Sequence, residues 1–170
     1  MHRQENVDKE SNLRTIIDFL EDYPIKVVYP IHPRSEKRFK EFELFNDLKN
    51  IDNLFLTPPL SYLKFLKLMK NSDIILTDSG GIQEEAVILG KPCLTLRDNT
   101  ERPESVEAGG NILTGLNKDK ILENTSKILE DESFRKSMEN AVNPFGEQGS
   151  GRRISNILVD YFQGTHGERL

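Results

Sequence analysis

Cysteine is nearly missing from this 170-residue chain: Cys93 is the only one. A disulfide framework and a Cys-rich metal site are thereby excluded, and Cys93, inside the apolar run Pro92-Cys-Leu-Thr-Leu96, reads as a buried strand residue. Long apolar runs are missing too. No stretch is long enough to span a bilayer, and Met1-His-Arg-Gln-Glu5 is too polar for a secretory signal. Nor is there an excess of positive charge. With 23 basic and 28 acidic residues the net charge is −5, which points away from nucleic-acid and membrane-surface partners and leaves room only for a local basic site that takes a small anion. No internal repeat or low-complexity segment appears. What remains is a chain of the length of one domain with a sizeable core, expected in the cytoplasm.

What is present is a regular alternation of helical and strand patterns. Lys9 to Asp22 places Leu13, Ile16, Ile17 and Leu20 on one helical face, and Ile25 to Ile31 follows as a strand. Ser35 to Phe45 reads as one helix with Phe39, Phe42 and Phe45 on its core side. Strands are expected at Asn53 to Thr57, Asp73 to Thr77, Pro92 to Leu96 and Gly110 to Gly115. Helices are expected at Tyr62 to Met69, after Gly81, at Lys118 to Glu130, at Ser133 to Asn140 and at Arg152 to Phe162. Strands separated by helices argue for an α/β fold, a three-layer doubly wound parallel sheet of Rossmann-like kind, with ligands at the strands' carboxyl ends. The domain is expected over 1–163, with a flexible tail at 164–170.

The segment Leu76-Thr-Asp-Ser-Gly-Gly-Ile-Gln-Glu-Glu-Ala86 joins one of these strands to a helix on which Ile82, Ala86 and Leu89 recur at helical spacing. Gly90-Lys91-Pro92 stops that helix. Gly80 and Gly81 are expected to let the backbone turn sharply and come close to a ligand, and the unpaired N–H groups and dipole of the helix favour an anion there. The plainer alternative is that Ser79 and the glycines only form the turn, while Gln83, Glu84 and Glu85 complement the dipole. The segment alone leaves both readings open. Acidic residues beside a diphosphate would repel it unless they point elsewhere, and Glu85, about one turn into the helix, can accept hydrogen bonds from a ribose diol.

Several ordered motifs carry a resemblance. His2-Arg-Gln-Glu-Asn6, Tyr29-Pro-Ile-His-Pro33, Thr77 to Ala86, Gly90-Lys-Pro92 and Thr100-Glu-Arg-Pro-Glu104 make the chain similar to the nucleotide-binding C-terminal half of the non-hydrolysing UDP-N-acetylglucosamine 2-epimerases, which have the glycosyltransferase-B fold. The resemblance implies that Ser79, Gly80 and Gly81 hold a diphosphate, that Glu85 binds ribose hydroxyls and that Arg102 contacts the phosphates. A guanidinium fork suits that last task, and the bland alternative for Arg102 is an ion pair with Glu101 or Glu104. Phe65 matches an aromatic near uracil, though Leu63, Leu66 and Met69 around it also suit a core position. His2 matches a histidine at the substrate cleft and is the candidate catalytic residue. His32 reads as a structural histidine at a strand end, and Pro33-Arg34 departs from the pattern associated with regulated relatives.

The activity implied is the interconversion of UDP-N-acetylglucosamine and UDP-N-acetylmannosamine by elimination and re-addition of UDP, with no cofactor and no metal. The partners implied are UDP-N-acetylglucosamine or UDP, an N-terminal domain in cis or in trans, and a second copy in a homodimer. The chain begins inside the His-Arg-x-Glu-Asn motif, so the central first strand is expected to be missing or reduced to a stub at Met1 to Arg3. The chain is then expected to be a fragment that binds UDP and does not turn over alone. Rival readings are the donor half of a UDP-sugar glycosyltransferase, a hydrolysing epimerase and a non-catalytic nucleotide-binding module.

Overall fold

The computed structural model describes residues 1–146 and 149–165. Of the tail expected at 164–170, residues 166–170 lie outside the described residues. In chain order the elements are α1 (Gln4–Val7), α2 (Glu10–Glu21), β1 (Val27–Pro30), α3 (Pro33–Glu41), α4 (Phe45–Lys49), β2 (Leu54–Thr57), α5 (Tyr62–Lys70) and β3 (Ile75–Thr77). They continue with α6 (Gly80–Ile88), β4 (Cys93–Thr95), α7 (Pro103–Glu107), β5 (Asn111–Leu113), α8 (Lys118–Glu130), α9 (Glu132–Glu139) and α10 (Ser150–Thr165). The short helices α1 and α7 carry no apolar period long enough to show in the sequence.

The strands are parallel and fall into two sheets, β1-β2 and β3-β4-β5. Val27 faces Leu54 in the first; Ile75 faces Cys93 and Cys93 faces Asn111 in the second. The α/β parallel architecture is as expected, but no strand among the described residues joins β1 to β3. Met1 to Arg3 forms no strand there. Between the two sheets lies a groove of about 540 Å³, lined among others by Val27, Tyr29, Leu76, Phe65 and Met69.

The largest apolar cluster gathers α2, α3 and α4 over β1 and β2. Leu13, Ile16, Phe39, Leu44 and Leu48 are each almost fully buried in it, and Leu96, just after β4, and Ile121 of α8 join it. Two smaller clusters flank the second sheet, one around Met69, Ile75, Ala86 and Cys93, the other around Leu94, Ile128 and Met138.

The single helix expected over Ser35 to Phe45 is broken. His32 caps α3 by accepting the Arg34 N–H at 3.1 Å, but the helix ends at Glu41, and Glu43 takes a left-handed backbone with φ of 59°. Leu44 N–H then bonds to the Phe39 carbonyl at 2.8 Å and Glu43 N–H to Lys40 at 3.1 Å. This is a Schellman ending, closed by burial of Leu44 beside Phe39. Burying Leu44 offsets the cost of a left-handed glutamate, a balance invisible to periodicity. The same ending closes α6, where Lys91 N–H bonds to Ala86 and Gly90 N–H to Val87. Gly90 has φ of 62°, and a Cβ there would lie 2.9 Å from the Glu139 carbonyl oxygen, so glycine is required.

Candidate functional site

The carboxyl end of β3 leads through Asp78 and Ser79 into α6. Ser79 stands at the N-cap with extended backbone, and its own N–H is taken by Thr77 Oγ1 at 3.0 Å. No side chain caps the first turn, so the N–H groups of Gly80, Gly81 and Ile82 lie at an open helix terminus. Gly80 and Gly81 do not make a sharp turn, contrary to expectation. Both belong to the helix, and neither has a positive φ. Their contribution is room: a Cβ at Gly81 would meet nothing within 4 Å, and one at Gly80 would touch only the Arg102 side chain at 3.8 Å and Glu101 at 4.0 Å.

Arg102 therefore stands over the first turn of α6. Its Nε pairs with Glu84, not with Glu101 or Glu104, and its Nη1 donates to the Glu101 carbonyl at 2.8 Å. The helix geometry explains the partner: Glu84 lies one turn beyond Gly80 on the side that Arg102 covers. The pairing offsets the charge of this acidic side chain near the open N–H groups.

A buried polar network holds the Arg102 loop in place. Thr100 Oγ1 donates to Gln83 Oε1 at 2.6 Å and accepts the Arg102 N–H at 3.0 Å. Asn111 Nδ2 donates to Gln83 Oε1 at 3.2 Å and to Ser105 Oγ at 3.1 Å, while Thr95 Oγ1 donates to Asn111 Oδ1 at 2.8 Å. Ser105 Oγ donates to the Arg102 carbonyl at 2.7 Å. Gln83, Thr95, Ser105 and Asn111 are all buried. Sequence reasoning missed this network, because its members lie on α6, β4, α7 and β5 and share no local pattern.

Glu85 is half-buried in α6, and its carboxylate beside the Tyr62 phenol at the start of α5 raises the Tyr62 pKa above its ordinary value. Phe65, one turn further along α5, is partly buried against Met69, Ile75 and Ala86 and also lines the groove. Phe65 thus packs on a core cluster and lines the groove at once. His2 and Ser79 line the same groove. The His2 ring stacks on His32 with centroids 4.8 Å apart. Burial lowers the His2 pKa, as do the Met1 ammonium, His32 and Arg3, against an upward pull from Asp78. Arg34 lies outside this cluster, paired with Asp8 at 2.6 Å.

Two further arginines lie by Glu101, the neighbour of Arg102. Arg97 is buried and bonded to Glu5 at 2.6 Å, its Nη1 3.7 Å from Glu101 without a hydrogen bond; Arg3 Nη2 lies 3.6 Å from Glu101. The site is thus a helix terminus and a guanidinium at the end of a parallel strand, with an aromatic and a carboxylate about one turn away. Such an arrangement suits a phosphorylated ligand with a ring at one end.

A family model described as UDP-N-acetylglucosamine 2-epimerase matches residues 1–159. The chain belongs to the UDP-N-acetylglucosamine 2-epimerase family. The epimerase of Methanocaldococcus jannaschii is 48% identical over 163 residues, covering 94% of this chain and 43% of that protein. The epimerase of Methanococcus maripaludis is 43% identical over 162 residues, covering 93% and 43%. The crystal structure of the M. jannaschii UDP-GlcNAc 2-epimerase in complex with UDP-GlcNAc and UDP matches with a TM-score of 0.84 at 48% identity, over 93% of this chain and 43% of that one. The chain thus spans about 43% of the length of the curated epimerases it matches. Among the described residues, no helix is long and apolar enough to cross a membrane.

Proposed function

We propose that this chain is the UDP-holding, C-terminal half of a UDP-N-acetylglucosamine 2-epimerase. The observation that carries the reading is its match, at 48% identity and a TM-score of 0.84, to an epimerase crystallised with UDP-GlcNAc and UDP. The local geometry agrees with it. The open N–H groups of Gly80 and Gly81, with the Ser79 hydroxyl, take the diphosphate, and Arg102 adds its outer edge while Glu84 holds its Nε. Glu85 accepts from the ribose hydroxyls, Phe65 packs by uracil, and His2 faces the sugar.

In the reaction we assign, a base removes the proton from C2 of the sugar as the C1–O bond to UDP breaks, giving a glycal and free UDP. UDP then adds back to C1 while a proton is delivered to the opposite face of C2. This half stabilises the departing diphosphate, where preorganised donors are often the largest catalytic contribution. The carboxylates that move the proton belong to an N-terminal half in cis or in trans, and the exposed α10 with Ile154, Ile157 and Leu158 is the element we assign to its contact. We take residues 1–163 as one UDP-binding domain and 164–170 as a tail. We place the protein in the cytoplasm, which the lone Cys93 fits, and expect a homodimer of the whole enzyme.

Calorimetry tests the binding half of the reading: the folded chain is expected to bind UDP without converting UDP-N-acetylglucosamine. Absence of UDP affinity overturns it. Glu85→Ala is expected to weaken UDP and uridine alike; equal affinities of variant and wild type remove the ribose assignment. Supplying the N-terminal half separates the chemistries, since a mannosamine epimer still bound to UDP supports epimerisation. Free N-acetylmannosamine supports the hydrolysing rival, and sugar transfer supports the transferase.

A further inference from the structure

Asp78 is the residue immediately before the anion turn, yet its carboxylate points back at the amino-terminal segment. It is fully buried. Its Oδ2 accepts the His2 N–H and the Arg3 N–H, each at 2.8 Å, and the Asn6 side-chain amide at 3.3 Å. Asn6 also donates to the Leu96 carbonyl at 2.9 Å, so the clamp ties α1 to the ends of both β3 and β4. The other oxygen, Oδ1, has no hydrogen bond; it lies 3.7 Å from His2 Nδ1 and 3.9 Å from the Met1 nitrogen. A carboxylate is taken out of water only where its partners compensate, and here the partners are the backbone of the histidine and the segment beside it.

We propose that Asp78 is a positioning residue for His2, fixing that histidine's backbone and ring beside the turn that receives the diphosphate. The inference rests on the site reading above for its role in catalysis, but not for its geometry. Consecutive residues then do two jobs: the Asp78 side chain holds His2, and the amides after Ser79 face the leaving group. Movement of the turn is transmitted to the histidine through two hydrogen bonds. His32 forms the opposite wall, its ring stacked on His2 and itself fixed by the Arg34 N–H. The charged and titratable groups facing His2 are Asp78, the Met1 ammonium, His32 and Arg3; burial and, after it, the Asp78 charge raise the Tyr29 phenol near the end of β1. Of these only Asp78 favours the imidazolium.

Two variants of the whole chain separate holding from charge, read by NMR titration of the His2 imidazole and by contacts between the His2 and His32 rings. Asp78→Asn keeps an oxygen for the His2 and Arg3 amides and removes the charge. The His2 titration is expected to move to lower pH while the ring contacts persist. Asp78→Ala removes both, and the ring contacts are expected to be lost as well. If Asp78→Ala fails to fold, Asp78→Asn alone decides through the direction of the titration shift. A folded Asp78→Asn chain whose His2 titrates as in wild type overturns the proposal, as does a folded Asp78→Ala chain with the ring contacts intact. Wild type that fails to bind UDP would remove the catalytic context and leave these readouts unaffected.

Discussion

The two sheets solve the problem of burial in different ways. Around β1-β2 the interior is continuous hydrocarbon, with Leu13, Ile16, Phe39, Leu44 and Leu48 excluded from solvent. Around β3-β4-β5 the apolar clusters are small, and the space between α6, β4, β5 and α7 is filled by Gln83, Thr95, Ser105 and Asn111 hydrogen-bonded to one another. Hydrocarbon packing is non-directional and can hold a scaffold, but it does not fix the orientation of a loop. Hydrogen bonds are directional, and each buried polar group left unpaired carries a penalty. In the second sheet the less apolar interior fixes the loop that carries Arg102 over α6.

The sharpest test of this contrast is Phe39→Ala. It is expected to lower stability by about 3–5 kcal/mol, the range for truncating a fully buried phenylalanine, and to leave the UDP affinity of the folded fraction unchanged in chemical denaturation and calorimetry run side by side. Asn111→Leu removes the centre of the polar network. It is expected to cost about 1–3 kcal/mol through the partners it strands, and also to weaken UDP binding. A pure stability loss would show that the network is filling rather than a loop holder, and the contrast between the sheets would collapse.

Smaller effects follow from titration. Burial alone would raise the Asp78 carboxyl, but the Met1 ammonium and the Arg3 and His2 amides together hold it below its ordinary value. A depressed carboxylate stabilises the fold above the unfolded pKa of about 3.9 and loses that contribution as pH falls through the folded value. Asp78→Asn is therefore expected to flatten the acid limb of the stability profile. The smallest effect belongs to Cys93, whose thiol burial pushes up to about 12. A raised thiol costs the fold nothing below the unfolded pKa of about 8.5, so the effect is absent near neutral pH and stability declines only as pH rises from that value toward about 12. Mass spectrometry after alkylation at pH 8 is expected to find Cys93 unmodified in the folded chain and modified in urea.

Much of this was legible in the residues because it is local. Lys118 to Glu130 shows its helix through Ile121, Thr125 and Ile128 on the buried side, and α8 has those bounds. The strand-to-helix passage at Thr77 to Gly80 is likewise a matter of neighbours in sequence. What could not be read is what depends on distance along the chain. Asp78 meets His2 across a separation of 76 residues, and Asn111 meets Gln83 across 28. Nothing in the short range distinguishes a clamping aspartate from one that merely ends a strand. Glu43 is similar: its left-handed backbone depends on where Leu44 finds its cavity. Gly80 and Gly81 show the opposite error, since glycine suggested a bend and the helix uses only its missing side chain.

The groove between β1 and β3 has a consequence for how this chain behaves in concentrated solution. Each of those strands presents one ladder of amide and carbonyl groups that no other described strand satisfies. Such edges are templates for strand pairing between molecules, and proteins usually guard them with proline or charge. Pro30 blunts β1 by removing one N–H, but Ile75, Leu76 and Thr77 carry neither safeguard. Self-association of this polypeptide should therefore nucleate at β3; because Leu76 also packs against two apolar clusters, a lysine or proline there should lower stability along with self-association.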